Sequence, residues 1–393
     1  MVSYIDEIEV EGKRVFIRAD FNVPLDQEGN ITDDTRIKST LPTVKSVLDR
    51  GGSVILTSHL GRPKGKVDKK YSLAPVAGRL SELLGKEVTF LEDCTGKVVE
   101  EKAQSLNPGD VILLENLRFH PEEEKNDEGF AGKLAGLADI YINDAFAVSH
   151  RAHASVEAIT RFAKQAGAGF LIKDEITYFI RAMGKPERPL IAIIGGAKVA
   201  GKLEVLENLI QKVDKLLIGG AMAFTFLKAE GIEIGKSLVE DDLLDTARKV
   251  MKKADEMGAE IILPVDCVVA DKVDAEAEYK TTTVKGIPAD WLVLDIGEQT
   301  LELFKEAINE AKTIVWNGPM GVFEMEPFSK GTYGVVNLVA DSPALSIVGG
   351  GDTDVAIHRS GKSDQISFIS TAGGAFLELL KGGTLPAIKA LEH

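Results

Sequence analysis

Apolar and polar residues alternate along this chain in blocks that predict a long series of strands and helices. Short runs rich in apolar and β-branched residues are mostly followed by segments with helical periodicity, such as residues 73–84, 241–257 and 300–311. Most runs are continuously apolar, which is typical of parallel strands covered on both faces, so the pattern predicts an α/β fold. The predicted strands are residues 14–18, 53–58, 88–91, 111–115, 140–143, 190–194, 215–218, 261–263, 292–294, 313–316, 345–348 and 366–370.

One helical segment, residues 170–184, has no strand partner and ends at a Gly-Lys-Pro sequence, which is a stop signal. We interpret it as a connector between two α/β domains with parallel sheets, residues 1–169 and 185–380. Residues 381–393 are then a C-terminal tail that docks on one domain. A chain of 393 residues is long enough for two cores. The acidic run 122–124 is interpreted as a solvated loop.

Composition narrows the class of protein. A hydrophobic fraction of 44% with 27% charged residues is ordinary for a globular protein. The net charge of -15 argues against a general nucleic-acid binder, so an anionic substrate would need a local basic cluster. The two cysteines lie far apart and indicate neither a disulfide framework nor a zinc motif. No signal-like or membrane-length apolar run is present, and the cytoplasm is the expected compartment.

Residues 191–210 read as a buried strand, a glycine turn and an amphipathic helix. Lys198 and Lys202 fall at the start of that helix, where the helix dipole disfavours a cation. An anion held there by free backbone N–H groups and both ammonium groups would resolve the conflict, so we predict a phosphate site. The segment nearly matches a P-loop, but Leu203 replaces the hydroxyl that would hold Mg²⁺. A tight turn with two solvated lysines is the plain alternative.

In the first half, cations and polar groups follow the strands. Because ligands of open parallel sheets bind beyond the carboxyl ends of the strands, these residues are expected at one edge. Arginines collected there would suit a ligand with phosphate and carboxylate groups, although each alone is compatible with a surface ion pair. The spacing of His150 and His153 leaves a metal pair open. The residues at this edge include Asp20, Asn22, Arg36, His59, Arg62, Arg118 and Arg151.

Three further glycine turns follow strands in the second half, at residues 218–221, 316–321 and 348–353. Asp352 or Thr353 could cap the helix after the last turn, and Asp352 could instead ligate the Mg²⁺ of a bound nucleotide. Pro319 and Met320 could form an apolar wall for a base, and Glu324 could accept from ribose hydroxyls. Another helix start, residues 371–374, points to the same edge.

Taken together, these motifs resemble the phosphoglycerate kinase family along the whole chain. The residues that carry the resemblance are 18–24, 34–38, 58–63, 114–120, 143–146, 149–155, 195–202, 219–227, 315–324, 349–353 and 370–380. The resemblance implies two Rossmann-like domains that bend about a hinge. It also implies reversible transfer of the acyl phosphate of 1,3-bisphosphoglycerate to MgADP, giving 3-phosphoglycerate and ATP in glycolysis.

The resemblance also implies which residues act, with Arg36, Lys198 and Lys202 as the catalytic residues and Asp352 at the Mg²⁺. The implied 3-phosphoglycerate site in the first domain is Asp20, Phe21, Asn22, Arg36, His59, Leu60, Gly61, Arg62, Arg118 and Arg151. The implied nucleotide site in the second domain is Lys198, Lys202, Gly219, Gly220, Asn317, Pro319, Glu324, Gly350, Gly351, Asp352 and Thr353.

The implied partners are these small molecules, with neither nucleic acid nor membrane, and a monomer is expected. The chain departs from the usual family pattern at Gly201, where an aspartate is usual, and at Ala372 and Asp354. Two other classes stay open at this stage. One is a non-catalytic binding protein that closes on a ligand. The other is a nicotinamide-dependent dehydrogenase, which the missing G-x-G-x-x-G motif disfavours.

Overall fold

A computed structural model describes residues 2–392 of the chain. The fold divides into two compact units. The first unit runs to Ile176 and resumes at Thr384, and the second comprises Thr177–Gly383. Among the described residues, no helix is both long and apolar enough to cross a membrane.

The first unit is built on a parallel sheet of six strands in the order β3-β4-β2-β1-β5-β6. Its strands are β1 (Arg14–Arg18), β2 (Ser53–Thr57), β3 (Thr89–Leu91), β4 (Val111–Leu114), β5 (Ile140–Asn143) and β6 (Ala166–Ala168). Its helices are α1 (Thr35–Asp49), α2 (Ala74–Leu84), α3 (Lys97–Gln104), α4 (Pro121–Glu124), α5 (Glu128–Ala135) and the start of α6 (Phe170–Phe179).

The second unit contains a parallel sheet of six strands and an antiparallel sheet of three. Their orders are β15-β14-β13-β7-β8-β9 and β11-β10-β12. The strands are β7 (Leu190–Ile194), β8 (Lys215–Ile218), β9 (Glu260–Ile262), β10 (Asp266–Ala270), β11 (Tyr279–Thr283), β12 (Leu292–Ile296), β13 (Thr313–Asn317), β14 (Leu345–Gly349) and β15 (Phe368–Ser370). The helices are α7 (Leu203–Leu209), α8 (Met222–Ala229), α9 (Leu244–Met257), α10 (Glu298–Glu310), α11 (Lys330–Asp341), α12 (Gly351–Ser360) and α13 (Gly373–Leu380).

The strands of the parallel sheets are apolar at successive positions because both of their faces are covered, as the sequence pattern indicated. In β7, Leu190 and Ala192 belong to one hydrophobic cluster, and Ile191 and Ile193 belong to another cluster on the opposite face. Successive side chains of a strand point to opposite faces, so a strand covered on both sides must be apolar at every position. The predicted α/β class with parallel sheets is therefore confirmed.

The antiparallel sheet was not predicted. Residues 292–294 were expected to be a parallel strand, but β12 pairs antiparallel with β10. Strand β11 has the sequence Tyr-Lys-Thr-Thr-Thr and is mostly exposed, so it carries no apolar run. The short strand β6, Ala-Gly-Ala, was missed because it lacks β-branched residues. A short or mostly exposed edge strand gives little signal in a hydrophobic pattern.

The acidic run was also misread. Residues Pro121–Glu124 form the short helix α4, and the side chain of Glu123 is fully buried. The Glu123 carboxylate accepts hydrogen bonds from the Ser155 hydroxyl at 2.6 Å and from the Ser155 N–H at 2.9 Å. A buried acid needs such partners, and these lie 32 residues away in sequence.

The predicted connector is helical throughout, as α6 followed by a π-helical segment, Ile180–Gly184. The boundary between the two units falls within α6, between Ile176 and Thr177. The Asp144 carboxylate after β5 accepts from the Leu171 N–H at 3.0 Å, which satisfies a free amide at the start of this helix.

The C-terminal tail returns to the first unit. Its short helix α14 (Pro386–Lys389) places Ala387 among Ala145, Val148 and Val156. The Ala387 N–H donates to the Ser149 carbonyl at 3.2 Å. The last residue of the expected tail, 393, lies outside the described residues.

Candidate active site

Loops at the carboxyl ends of β1, β2 and β4 bring the predicted cations of the first unit together. Asp20 and Arg36 form an ion pair, and His59 Nδ1 lies 3.8 Å from Asp20 Oδ1. Arg118 Nη1 donates to the Gly61 carbonyl at 2.8 Å. The Gly61 N–H donates to Asn22 Oδ1, also at 2.8 Å. We call these six residues, Asp20, Asn22, Arg36, His59, Gly61 and Arg118, the arginine site.

Phe21 and Leu60 lie in the two loops that carry Asp20 and His59. Both side chains are buried in the core of the unit. The Phe21 N–H donates to the Ser58 hydroxyl at 2.8 Å, and the Leu60 carbonyl accepts from Asn116 Nδ2 at 2.7 Å. These bonds fix the two loops on which Asp20 and His59 stand, and the buried side chains of Phe21 and Leu60 anchor those loops in the core.

The remaining two predicted arginines are placed less tightly. Arg62 is exposed and follows Gly61 directly in the same loop. Arg151 is half-buried, and its Nε donates to His150 Nε2 at 3.2 Å. The charge of Arg151 contributes to lowering the pKa of Arg118, so the two guanidinium groups are within electrostatic reach.

One important residue, Arg18, was quoted for the resemblance but not assigned to the site. Arg18 is fully buried, and its Nη2 lies 3.3 Å from His59 Nδ1. Its Nε donates to the Ser155 hydroxyl at 2.9 Å, and that hydroxyl in turn donates to Glu123. The sequence carried a signal for it, because a charged residue inside an apolar strand is rarely buried without a partner.

Burial and mutual repulsion perturb the charges of this region. Burial, with the positive charges of Arg18 and Arg118, holds the pKa of His59 well below its usual value. The same causes lower the pKa of His153 to about 3. Burial and the nearby Arg18 lower the pKa of Arg118 to about 10. These shifts show that positive charge is crowded here, so an anion of the ligand would relieve the repulsion.

His150 and His153 are not part of a larger cluster of potential metal ligands. Within residues 2–392, the group of three or more such ligands with atoms inside 4.8 Å of one another is Asp93, Cys94 and His120. In that group His120 Nε2 already lies 2.7 Å from Asp93 Oδ1, as expected for an ordinary hydrogen bond.

In the second unit, residues 195–202, which we call the lysine loop, follow strand β7. Gly195 must be a glycine, because a Cβ atom there would lie 2.1 Å from the Pro319 carbonyl oxygen. Lys202 Nζ donates to the carbonyls of Gly195 and of Asn317, the latter at 3.3 Å. Burial lowers the pKa of Lys202 to about 8, against the opposing charge of Asp352. Lys198, in contrast, is exposed.

Two details of the lysine loop differ from the prediction. Helix α7 begins at Leu203, so Lys202 is its N-cap residue and does not lie in the first turn. Free backbone N–H groups were expected near the helix start, but those of Val199 and Ala200 donate to the Glu240 carboxylate. The alternative of two solvated lysines is also wrong for Lys202, because its ammonium group is held by backbone carbonyls.

A cavity of about 270 Å³ opens beside this loop. It combines an apolar wall with a few polar groups, as small-molecule sites commonly do. Six of its residues had been singled out: Gly196, Gly220, Pro319, Met320, Glu324 and Asp352. Five others lie within motifs that carry the family resemblance but were not assigned to the site, namely Ala197, Ala221, Phe224, Gly321 and Val322. Val293, Leu294 and Asp295 were not predicted at the site at all, because the antiparallel pairing of their strand, β12, hid its place at this edge.

The remaining predicted residues do not line this cavity themselves, but they lie after β8, on β13 and at the start of α12, close in sequence to residues that do line it. The Gly220 N–H donates to the Met320 carbonyl at 3.1 Å. A Cβ on Gly219 would lie 2.3 Å from Met320 Sδ, so the backbone passes close to that side chain. Asn317 Nδ2 donates to the Gly349 carbonyl at 2.6 Å.

Helix α12 does not use the predicted side-chain caps. Its N-cap residue is Gly350, and neither Asp352 nor Thr353 caps it. Thr353 Oγ1 accepts instead from the Gly318 N–H at 2.8 Å. Asp352 follows Gly351 in the first turn of α12. Its side chain is exposed and lines the cavity. The start of α13 lies alongside, because a Cβ on Gly373 would be 3.4 Å from the Gly350 Cα atom.

Comparison with known proteins agrees with this geometry. A family model described as phosphoglycerate kinase matches residues 5–383. The phosphoglycerate kinases of Geobacter metallireducens and Geotalea uraniireducens are each 62% identical to this chain, with 100% of this chain and 99% and 98% of the relative covered. The solved structure of the enzyme from Coxiella burnetii has a TM-score of 0.91 at 44% identity, covering 100% of this chain and 99% of that one. The one from Pyrococcus horikoshii has a TM-score of 0.85 at 34% identity, covering 98% and 97%. The chain therefore belongs to the phosphoglycerate kinase family.

Proposed function

We propose that the arginine site binds 3-phosphoglycerate, or the glycerate end of 1,3-bisphosphoglycerate, and that the cavity of the second unit binds ADP or ATP. The observation that carries this division is the chemistry of the two sites. Crowded guanidinium groups in one unit suit a ligand with phosphate and carboxylate groups, since arginine matches both bidentately. An apolar cavity beside two lysines in the other unit suits a base with a phosphate chain.

In the first unit, Arg36, Arg62, Arg118 and Arg151 neutralise the ligand, and Asp20 and Asn22 accept from its hydroxyl group. The ion pair between Asp20 and Arg36 holds both side chains ready at the edge of the sheet. His59 stays neutral because burial and the neighbouring arginines lower its pKa. It therefore serves as a hydrogen-bonding group rather than as a cation.

In the second unit, the base lies between Pro319 and the apolar residues of β12, and Glu324 accepts from the ribose. The phosphate chain extends toward Lys198, Lys202 and the start of α12. Gly219, Gly220, Asn317, Gly350, Gly351 and Thr353 shape the backbone around it. Burial lowers the pKa of the Lys202 ammonium to about 8 and so disfavours its charged form. A phosphate group next to it would favour the charged form.

The transfer needs positioning and charge neutralisation more than proton transfer. The attacking group is a carboxylate or a diphosphate oxygen, which is already ionised near neutral pH, so no general base is required. Arg36 from one unit and Lys198 from the other meet the transferring phosphoryl group and stabilise its charge. Because the two ligands belong to different units, the units close during turnover, with residues 170–184 as the hinge. Closure also excludes the water that would hydrolyse the acyl phosphate.

Asp352 fits the role of a magnesium ligand. Its carboxylate does not cap α12, is exposed and lines the cavity, and carboxylate with phosphate oxygens is the usual donor set of Mg²⁺. Bound Mg²⁺ would neutralise part of the phosphate charge. We expect a monomer that works in the cytoplasm, in keeping with glycolytic chemistry. Membership of the family removes the binding-protein and dehydrogenase alternatives.

Steady-state turnover with 3-phosphoglycerate and MgATP tests the assigned roles. Arg36→Ala and Lys198→Ala should each lower kcat by about 100-fold or more, as the loss of a preorganised charge typically does. Lys45→Ala, an exposed position on the same helix as Arg36, and Lys249→Ala, an exposed lysine of the second unit, are the matched controls. Near wild-type kcat in both test variants would refute the assignment.

A further inference from the structure

The part of the lysine loop that carries Lys198 has few anchors of its own. Ala197, Lys198, Ala200 and Gly201 are all exposed. The loop is tied at Gly196, whose N–H donates to the Pro319 carbonyl at 2.9 Å and whose carbonyl accepts from the Met222 N–H at 3.0 Å. It is tied again where the Lys202 N–H donates to the Val199 carbonyl at 2.8 Å. Lys198, which must meet a transferring phosphoryl group, stands on the exposed backbone between these ties.

Glu240 supplies a further anchor, next to Lys198 itself. One oxygen of its carboxylate, Oε2, accepts from the N–H of Val199 and from the N–H of Ala200, the latter at 3.2 Å. These are the two residues that follow Lys198, and the Val199 side chain is fully buried. Hydrogen bonds to an ionised acceptor are roughly twice as strong as neutral ones. Glu240 therefore fixes the backbone next to Lys198 while leaving the Lys198 side chain outside the contact.

Glu240 is itself held in place from the other side. Its N–H donates to Thr225 Oγ1 at 3.3 Å, and Thr225 is buried on α8. Glu240 is half-buried, whereas the next two residues, Asp241 and Asp242, are exposed. The neighbouring Asp241 pairs with Lys228 of α8 at 2.7 Å, which secures the same segment. The carboxylate thus connects the rigid helix α8 to the lysine loop.

We propose that Glu240 is a positioning residue for phosphoryl transfer, which acts by holding the lysine loop so that Lys198 reaches the transferring group. The inference rests on the role proposed above for Lys198. Its energetic basis is orientation, because a displacement of about 1 Å of a group at the reacting centre can cost about 100-fold in rate. A Gln at position 240 keeps an oxygen that can accept from both amides, whereas an Ala keeps none.

Kinetics and hydrogen exchange together test this role. Glu240→Ala should lower kcat by about 10- to 100-fold, and KM for 3-phosphoglycerate should change little, because that ligand binds the other unit. Glu240→Gln should restore most of the activity. The backbone amides of Val199 and Ala200 should exchange faster in Glu240→Ala than in the wild type. Asp242→Ala, an exposed acid two residues further on, is the control for a general loss of negative charge.

A double-mutant cycle separates this inference from the role of Lys198. If Glu240 acts through Lys198, Glu240→Ala should cost almost nothing further in kcat when introduced into Lys198→Ala. Additive losses, an unchanged kcat in Glu240→Ala, or equally low activity in Glu240→Gln and Glu240→Ala would each overturn the positioning role. If Lys198→Ala itself kept full activity, the proposed function of Lys198 would fail instead. Thermal unfolding of each variant shows whether a loss of kcat comes with a loss of folded enzyme.

Discussion

The sharpest prediction concerns Lys202 and the pH dependence of nucleotide binding. In the free protein, burial lowers the pKa of this ammonium from 10.5 to about 8. A nucleotide phosphate beside it would favour the charged form and raise the pKa again. Above about pH 8, binding therefore has to restore a proton to Lys202, and ADP affinity should fall as the pH rises.

The size of the effect follows from the pKa. With a value of about 8, roughly ten-elevenths of the Lys202 side chains are charged at pH 7 and roughly one-eleventh at pH 9. ADP affinity should therefore weaken about tenfold between these two pH values, or ~1.4 kcal/mol. At pH 9 the complex should take up about 0.9 proton per ADP bound.

Isothermal titration calorimetry in two buffers of different ionisation enthalpy measures both quantities. Lys202→Met should bind ADP weakly, and its affinity should not depend on pH in this range. The affinity of Lys202→Arg should also not depend on pH, because the guanidinium group stays charged. Lys198→Met is the control. Any titration of ADP itself affects this variant as it affects the wild type, so its ADP affinity should show the wild-type dependence on pH. A wild-type affinity that stays constant from pH 7 to pH 9, or a Lys202→Met variant that keeps the slope, would refute the reasoning.

Three further expectations concern the separate binding of the two ligands, the packing at Gly195 and the closure of the two units. Arg62→Ala and Arg151→Ala should weaken the binding of 3-phosphoglycerate, measured by calorimetry, while the affinity for ADP stays nearly unchanged. Equal losses of affinity for both ligands would indicate one shared site. Gly195→Ala should lower the urea midpoint of the second unit and abolish ADP binding, because its Cβ would lie 2.1 Å from the Pro319 carbonyl; an unchanged midpoint would contradict this. Small-angle scattering should give a smaller radius of gyration with both substrates than with either alone, since the ternary complex favours the closed state most. Identical curves in the active ternary mixture would exclude large-scale closure.

The local sequence pattern was sufficient to predict the parallel sheets and the edge at which several candidate site residues lie. Runs such as residues 190–194 had to be apolar at each position because both faces of the strand are covered. Parallel strands also bring their carboxyl ends to one edge, so the sequence alone assigns Asp20, His59 and Arg118 to one place. The physical rule in each case needs only the order of elements along the chain.

The tertiary structure decided what depends on contacts between distant segments. Glu240 reaches amides 40 and 41 residues away, and Arg18 meets Ser155 at a separation of 137 residues. Strand β11 was invisible in the pattern because it is held at an edge by backbone pairing and its side chains are mostly exposed. Hydrogen bonds of this kind are set by how helices and loops pack, and an acid that will be a buried partner looks the same in sequence as an acid on the surface.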